Sequence, residues 1–181
     1  MSNRLTVEIA GLRLPNPTML AAGVLGLSGA SLREAIKNGA GAVVTKSVCL
    51  KPRMGYANPA VVQVSCGLLN AIGLPNPGAR DFAEEIRELK KSGVSVPVIA
   101  SVFGFSPQEF AETARILAGA GADAVELNVS CPHVKRTGSE IGQSPSLVAG
   151  VVERVKKVVD KPVIVKLSPN VSDIVEVAEA G

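Results

Sequence analysis

Five short runs of apolar, often β-branched residues recur along the chain. Each is followed by a stretch whose apolar positions repeat every three to four residues. The runs are 18–23 (TMLAAG), 41–48 (GAVVTKSV), 96–104 (VPVIASVFG), 123–130 (DAVELNVS) and 161–169 (KPVIVKLSP). Their length and composition predict buried strands, and the periodic stretches predict helices over 31–38, 79–91, 107–120, 145–159 and from about 171 onward. Ser106 before Pro107 and Ser144 before Pro145 read as N-caps followed by a first-turn proline, while Gly39, Gly93 and Gly121 sit where helices should stop. A hairpin-like opening, 5–14 (LTVEIAGLRL), precedes the first run. The order βαβαβαβαβα implies a parallel sheet with right-handed crossovers.

Two parallel architectures fit that order, an open doubly wound sheet and a closed barrel. A dinucleotide-binding open sheet carries GxGxxG after its first strand, and 21–31 (AAGVLGLSGAS) does not match. Polar residues instead recur at the carboxyl ends of successive strands: Lys46, then Asn128 and Ser130, then Lys166 and Ser168. In a (β/α)8 TIM barrel these ends converge on one mouth, where the active site lies. The fold class expected is therefore α/β, a (β/α)8 barrel. Eight units take roughly 200 to 250 residues or more, so five units ending inside a helical pattern imply a barrel truncated to about five βα units after the N-terminal hairpin.

At 181 residues with 46% hydrophobic positions, the chain is long and apolar enough to bury one core, and one domain spanning 1–181 is expected. The net charge of +3 is spread among both signs and only 3% of residues are aromatic, which argues against nucleic-acid binding. Three irregularly spaced cysteines suit reduced thiols rather than a disulfide framework, and no Cys/His cluster points to a metal. With no export signal at the N-terminus and no apolar stretch approaching about 18 residues, a cytoplasmic location without membrane contact is expected.

The chemistry concentrates in 125–135 (VELNVSCPHVK), which holds Asn128, Ser130, Cys131 and the sole histidine, His133. A free thiol with a pKa near 8.5 is a usable base or nucleophile, and its place among strand-end polar residues favours Cys131 over a buried-hydrophobe role. Cys49 reads as structural and Cys66 as undetermined. His133 ranks below Cys131, because nothing near it in sequence would orient the ring. Strand alternation puts Lys46 on the side of Ala42 and Val44, and Lys166 on the side of Ile164; either side could be the interior. Two lysines at equivalent strand ends are best explained by an anionic ligand in the mouth. The segment 67–78 (GLLNAIGLPNPG) reads as one long functional loop, with Gly73 allowing close backbone approach and Asn70 and Asn76 offering amides, a turn role being more natural for Asn76.

Together NPTMLAAGV, AVVTKSV, GLLNAIGLPNPG, ELNVSCPHVK and VIVKLSPNVSDI resemble the dihydroorotate dehydrogenase family over essentially the whole chain. The cysteine in NVSCP resembles the class 1, soluble enzymes. The resemblance implies that Cys131 is the general base removing a proton from C5 of dihydroorotate while the C6 hydride passes to N5 of FMN. It implies that Asn70 and Asn128 hold the pyrimidine, with backbone groups of Ile72, Gly73 and Leu74 on the carboxylate. Lys46 would lie near substrate and flavin, Lys166 near the flavin N1/O2 edge, and Ala22, Gly23, Ser47 and Asn128 along the flavin. Class 1 members use fumarate or pass electrons through an FAD and iron–sulfur partner subunit to NAD, and the GLLNAIGLPNPG wording is similar to the second, 1B type; a homo- or hetero-oligomer is implied.

Where many relatives have asparagine after SCP, this chain has His133. SCPH also occurs in the flavin domain of dihydropyrimidine dehydrogenases, whose active cysteine precedes a GQ pair; here that position is Ile141, so the dihydroorotate reading is preferred. The Gly-rich phosphate loops of the family's last strands are not present in the sequence, so this chain by itself is expected to bind FMN weakly or not at all. The alternative is a non-catalytic fragment or an assembly half needing a complementary chain.

Overall fold

A computed structural model describes residues 4–131 and 139–181. The chain opens with an antiparallel hairpin, β1 (Val7–Ile9) and β2 (Leu12–Leu14), then β3 (Met19–Leu20), a 3-10 turn (Val24–Gly26) and α1 (Gly29–Lys37). It continues with β4 (Ala42–Val44), β5 (Val61–Val64), β6 (Gly67–Asn70), α2 (Ala79–Lys91), β7 (Val98–Val102) and α3 (Pro107–Gly119). The last elements are β8 (Ala124–Asn128), α4 (Ser139–Gly142), α5 (Pro145–Lys156), β9 (Val163–Lys166) and α6 (Ile174–Glu179).

The five apolar runs become one parallel sheet in the order β3-β4-β7-β8-β9. Strand order follows chain order, each crossover passes through at least one helix, and the architecture is that of part of a (β/α)8 barrel. Alternation along the strands separates two faces. Val98, Ala100, Val102, Val125 and Leu127 pack toward the helices, against residues such as Leu89, Phe110, Leu117 and Val155. Ala42, Val44, Ile99, Ala124 and Ile164 face the other way and meet Leu14, Leu12 and Val7 of the opening hairpin. That second face is the barrel interior, and the hairpin plugs it from the amino-terminal end of the strands.

Helix boundaries follow their local signals. Ser106 caps α3 by accepting from the Glu109 amide at 3.3 Å, with Pro107 in the first turn. Ser144 stands at the N-cap of α5, but its hydroxyl pairs with that of Ser146 at 3.1 Å instead of the backbone. Helix α1 begins at Gly29, two residues before the periodicity predicts, because Ser28 and Ser31 form a reciprocal capping box. Helix α6 begins at Ile174, where Asp173 caps the amides of Val175 and Glu176.

The segment 67–78 is not one loop. Its first four residues are β6, paired with β5 through a two-residue turn at Ser65 and Cys66. The rest is pinned by Asn76, whose buried carbonyl oxygen accepts from the amides of Cys49 (3.3 Å) and Gly78 (3.0 Å) and whose amide donates to the Leu74 carbonyl (3.0 Å). Asn76 is thus the turn-former that its surroundings in sequence indicate. Cys49 is buried beside it and donates to the Lys51 carbonyl, and burial pushes its thiol pKa up, consistent with a structural role. Cys66 is exposed at the hairpin tip.

Candidate active site

The interior face changes character toward the carboxyl ends of the strands. Above the apolar layer of Val44, Ile99, Ala124 and Ile164 come Lys46, Ser101, Glu126 and Lys166, two residues further along each strand or its continuation, with Asn128 above Glu126. The parity that left Lys46 and Lys166 ambiguous in sequence is resolved by this layer: both point inward.

A bulge just beyond β4 shapes the site. The parallel ladder runs from Val43 N to Pro97 O (3.0 Å) and from Thr45 N to Ile99 O (2.9 Å), and its next rung should be Ser47 N to Ser101 O. Val48 N takes that rung instead, at 3.0 Å, so one extra residue is accommodated between Thr45 and Val48. Two groups satisfy the backbone that the bulge displaces. The Thr45 hydroxyl accepts from Ser101 N at 3.0 Å, and the Gly26 carbonyl accepts from Lys46 N at 2.8 Å. Only glycine fits at position 26, since a Cβ there would lie 2.6 Å from Lys46 N and 2.9 Å from the Val44 carbonyl oxygen. With the alternation broken, the consecutive residues Lys46 and Ser47 both serve the site.

Ser47 joins a buried polar line. Its hydroxyl is 2.9 Å from that of Ser101 and accepts from Asn128 Nδ2 at 2.8 Å. Ser101 Oγ donates to Glu126 Oε1 at 2.7 Å, and Lys166 Nζ lies 3.8 Å from the same oxygen. Asn128 Oδ1 accepts from the Ser130 amide (3.2 Å) and hydroxyl (2.9 Å).

Lys46 is 7% exposed, and no residue among those described forms a hydrogen bond or ion pair with its amine. Burial lowers its pKa; negative charge at Cys131 opposes that shift and the Lys166 ammonium adds to it. The structure therefore brings both Cys131 and Lys166 within electrostatic reach of Lys46. Cys131 is half-buried, a free thiol against the edge of the main core.

Ala22 and Gly23 are half-buried just before the 3-10 turn, and Ala22 packs against the interior cluster. Gly73 and Leu74 are buried and Ile72 half-buried. Gly73 holds φ +77°, and a Cβ there would strike the Tyr56 ring at 2.8 Å. Its carbonyl accepts from Arg53 Nε at 2.7 Å, and the Ile72 carbonyl accepts from Tyr56 N at 3.1 Å. Asn70 is exposed at the end of β6, opposite Val61; no hydrogen bond among the described residues joins its side chain to the strand-end cluster. His133 lies outside the described residues. Ile141, at the position where a second cysteine would stand in dihydropyrimidine dehydrogenases, is buried in the main core.

Glu126, Ser101 and Thr45 were not singled out in sequence. The available signal for Glu126 was its parity: a charge two residues from Ala124 and from Asn128, inside an otherwise apolar strand.

Comparison with known proteins gives a consistent result. The dihydroorotate dehydrogenase family model matches residues 4–181. Curated relatives named as the catalytic subunit of dihydroorotate dehydrogenase B (NAD(+)) include that of Methanosarcina acetivorans, 54% identical over 174 residues, covering 96% of this chain and 56% of the relative. The Pyrococcus furiosus protein is 53% identical over 174 residues, covering 96% of this chain and 57% of the relative. That of Thermoplasma acidophilum is 49% identical over 176 residues, covering 97% and 58% respectively. The chain thus spans little more than half the length of these relatives.

Proposed function

This chain belongs to the dihydroorotate dehydrogenase family, and on that premise we propose that residues 1–181 form part of a single FMN-dependent barrel domain that oxidises dihydroorotate to orotate in pyrimidine biosynthesis. The observation that carries the reading is Lys46, a residue only 7% exposed whose amine is partly desolvated, has no protein partner among the described residues and lies within electrostatic reach of Cys131 and Lys166. An amine in that state favours an anion as ligand, and dihydroorotate carries a carboxylate.

Cys131 takes the proton from C5 of the substrate, the role of a general base. Asn128 and Asn70 hold the pyrimidine through their amides, and the backbone amides of Ile72, Gly73 and Leu74 receive the carboxylate. Lys46 supplies positive charge beside the substrate, and substrate binding relieves the cost of its burial. The residues present fit a flavin: the polar layer sets the Lys166 ammonium and the Asn128 amide above an apolar floor, complementary to a ring with an apolar face and a polar N1/O2 edge. Bound FMN would supply the acceptor for the hydride leaving C6. Lys166 and Asn128 would hold that edge, with Lys46, Ala22, Gly23 and Ser47 lining the ring.

The relatives' names, catalytic subunit and NAD(+), support a partner subunit that passes electrons to NAD. By the family resemblance that subunit carries FAD and an iron–sulfur cluster, within a homo- or hetero-oligomer. No helix among the described residues is long and apolar enough to cross a membrane, and we place the protein in the cytoplasm.

The test is the visible spectrum of the whole flavin-loaded protein, before and after anaerobic dihydroorotate. Bleaching of bound flavin is expected. Bound flavin that dihydroorotate leaves oxidised would remove the proposed substrate.

A further inference from the structure

The strand-end cluster contains one charged side chain that the chemistry above does not use. Glu126 sits in the middle of β8, faces the barrel interior and is 8% exposed. A carboxylate there is costly unless partnered, and it has two partners on one oxygen: the Ser101 hydroxyl at 2.7 Å and the Lys166 ammonium at 3.8 Å.

Counting protons gives the line a direction. A serine hydroxyl carries a single proton, and Ser101 directs its own at Glu126. In the 2.9 Å contact between Ser47 and Ser101, Ser47 is therefore the donor. With that proton committed, the Ser47 oxygen accepts from Asn128 Nδ2. The other end agrees: the Ser130 backbone N–H can only donate, so the Asn128 oxygen must face it. Hydrogen bonds run one way, from Asn128 through Ser47 and Ser101 to Glu126. The group that Asn128 has left for a ligand is its second Nδ2–H, a donor.

We infer that Glu126 is a positioning residue with two effects: it partly balances Lys166, and it ends the Ser101–Ser47–Asn128 line in an acceptor, so that the site offers an N–H to a ring carbonyl. The ligand class selected is a cyclic ureide or imide, whose carbonyl oxygen accepts where a ring N–H or amine would be refused. This inference rests on the proposed dihydroorotate reading and names residues that act through Lys166 and Asn128 without touching substrate.

Two variants of the whole flavin-loaded protein separate the effects. Glu126→Gln keeps a carbonyl acceptor for Ser101 and removes the charge; the flavin reduction potential should rise by about 30 mV, a tenfold shift in the two-electron equilibrium, with orotate affinity little changed. Ser101→Ala cuts the line and keeps the Glu126–Lys166 pair; orotate should bind about tenfold more weakly, with the potential unmoved. Unmoved potential in the first variant and unmoved affinity in the second overturn the inference. So do equal effects of both variants on both quantities, the mark of a generally loosened site. Wild-type protein measured in parallel separates the conclusions: no flavin or orotate binding there overturns the dihydroorotate reading and this inference with it, whereas normal wild-type behaviour with unmoved variants overturns the inference alone.

Discussion

The Thr45 hydroxyl accepts the Ser101 amide at 3.0 Å, the hydrogen bond that the Thr45 carbonyl would accept in an unbroken parallel ladder. Both residues are fully buried, so the substitution of side chain for main chain holds the bulge that turns Lys46 and Ser47 to the same site. Thr45→Val removes the acceptor at nearly constant volume and strands the Ser101 amide. A loss of about 1–3 kcal/mol in unfolding free energy is expected, measured by urea denaturation, with Thr45→Ser restoring most of it. A Thr45→Val protein as stable as wild type would mean that the bulge does not depend on this contact.

Gly26 closes the same bulge from the other side. Gly26→Ala places a methyl 2.6 Å from Lys46 N, against backbone that cannot rotate away, so β4 and the 3-10 turn must part. Destabilisation of about 1–3 kcal/mol is expected, together with weaker FMN retention on dialysis. Wild-type melting and flavin content would show that the turn can shift freely.

Lys46 should give the protein a pH signature. Burial lowers its pKa, opposed by negative charge at Cys131 and aided by Lys166. Between that lowered value and the ordinary one of about 10.4, the unfolded chain binds more protons than the folded chain, so stability rises with pH across the window. Lys46→Met should flatten the rise and leave stability near neutral pH unchanged or higher, while weakening orotate binding about ten- to hundredfold. Urea unfolding over a pH series with both proteins is the measurement, and an identical slope in the two would contradict the assignment.

Cys131→Ser should slow anaerobic reduction of the flavin by dihydroorotate by about 10² or more, the usual worth of a general base, with FMN still bound. Stopped-flow spectrophotometry of the whole protein reads this directly. An unchanged rate would take Cys131 out of the proton transfer.

The two asparagines of 67–78 should behave oppositely. Asn76→Ala loses two accepted backbone bonds in a buried turn and should cost about 1–3 kcal/mol of stability. Asn70→Ala, at an exposed hairpin end, should change stability by less than about 0.5 kcal/mol and weaken orotate binding. Thermal melts paired with orotate titration decide both; an Asn70 variant with wild-type orotate affinity would remove that residue from the site.

Much of the fold was legible in the residues because its signals are local. Apolar runs of strand length, helical periodicity and Ser-Pro starts are set by neighbours within one or two turns, and they indicated a parallel α/β barrel with α2 at Ala79–Lys91. Clustering of polar residues at strand ends pointed to the mouth and to Lys46, Asn128, Cys131 and Lys166. The β5–β6 hairpin escaped because it is exposed along nearly its whole length, so burial imposed no alternation for the pattern to register.

What the sequence by itself determined is therefore the kind of element along the five βα units, though not the β5–β6 hairpin, and the side of each strand that its residues share. Which side is the interior was decided only when helices covered one face and the β1–β2 hairpin plugged the other. The bulge at Thr45 and the line from Asn128 to Glu126 belong to the tertiary structure for a related reason: they join residues 56, 81 and 25 positions apart. Hydrogen bonds of that span depend on distance in space and on which donors are already committed, and neither is encoded in a local run of residues.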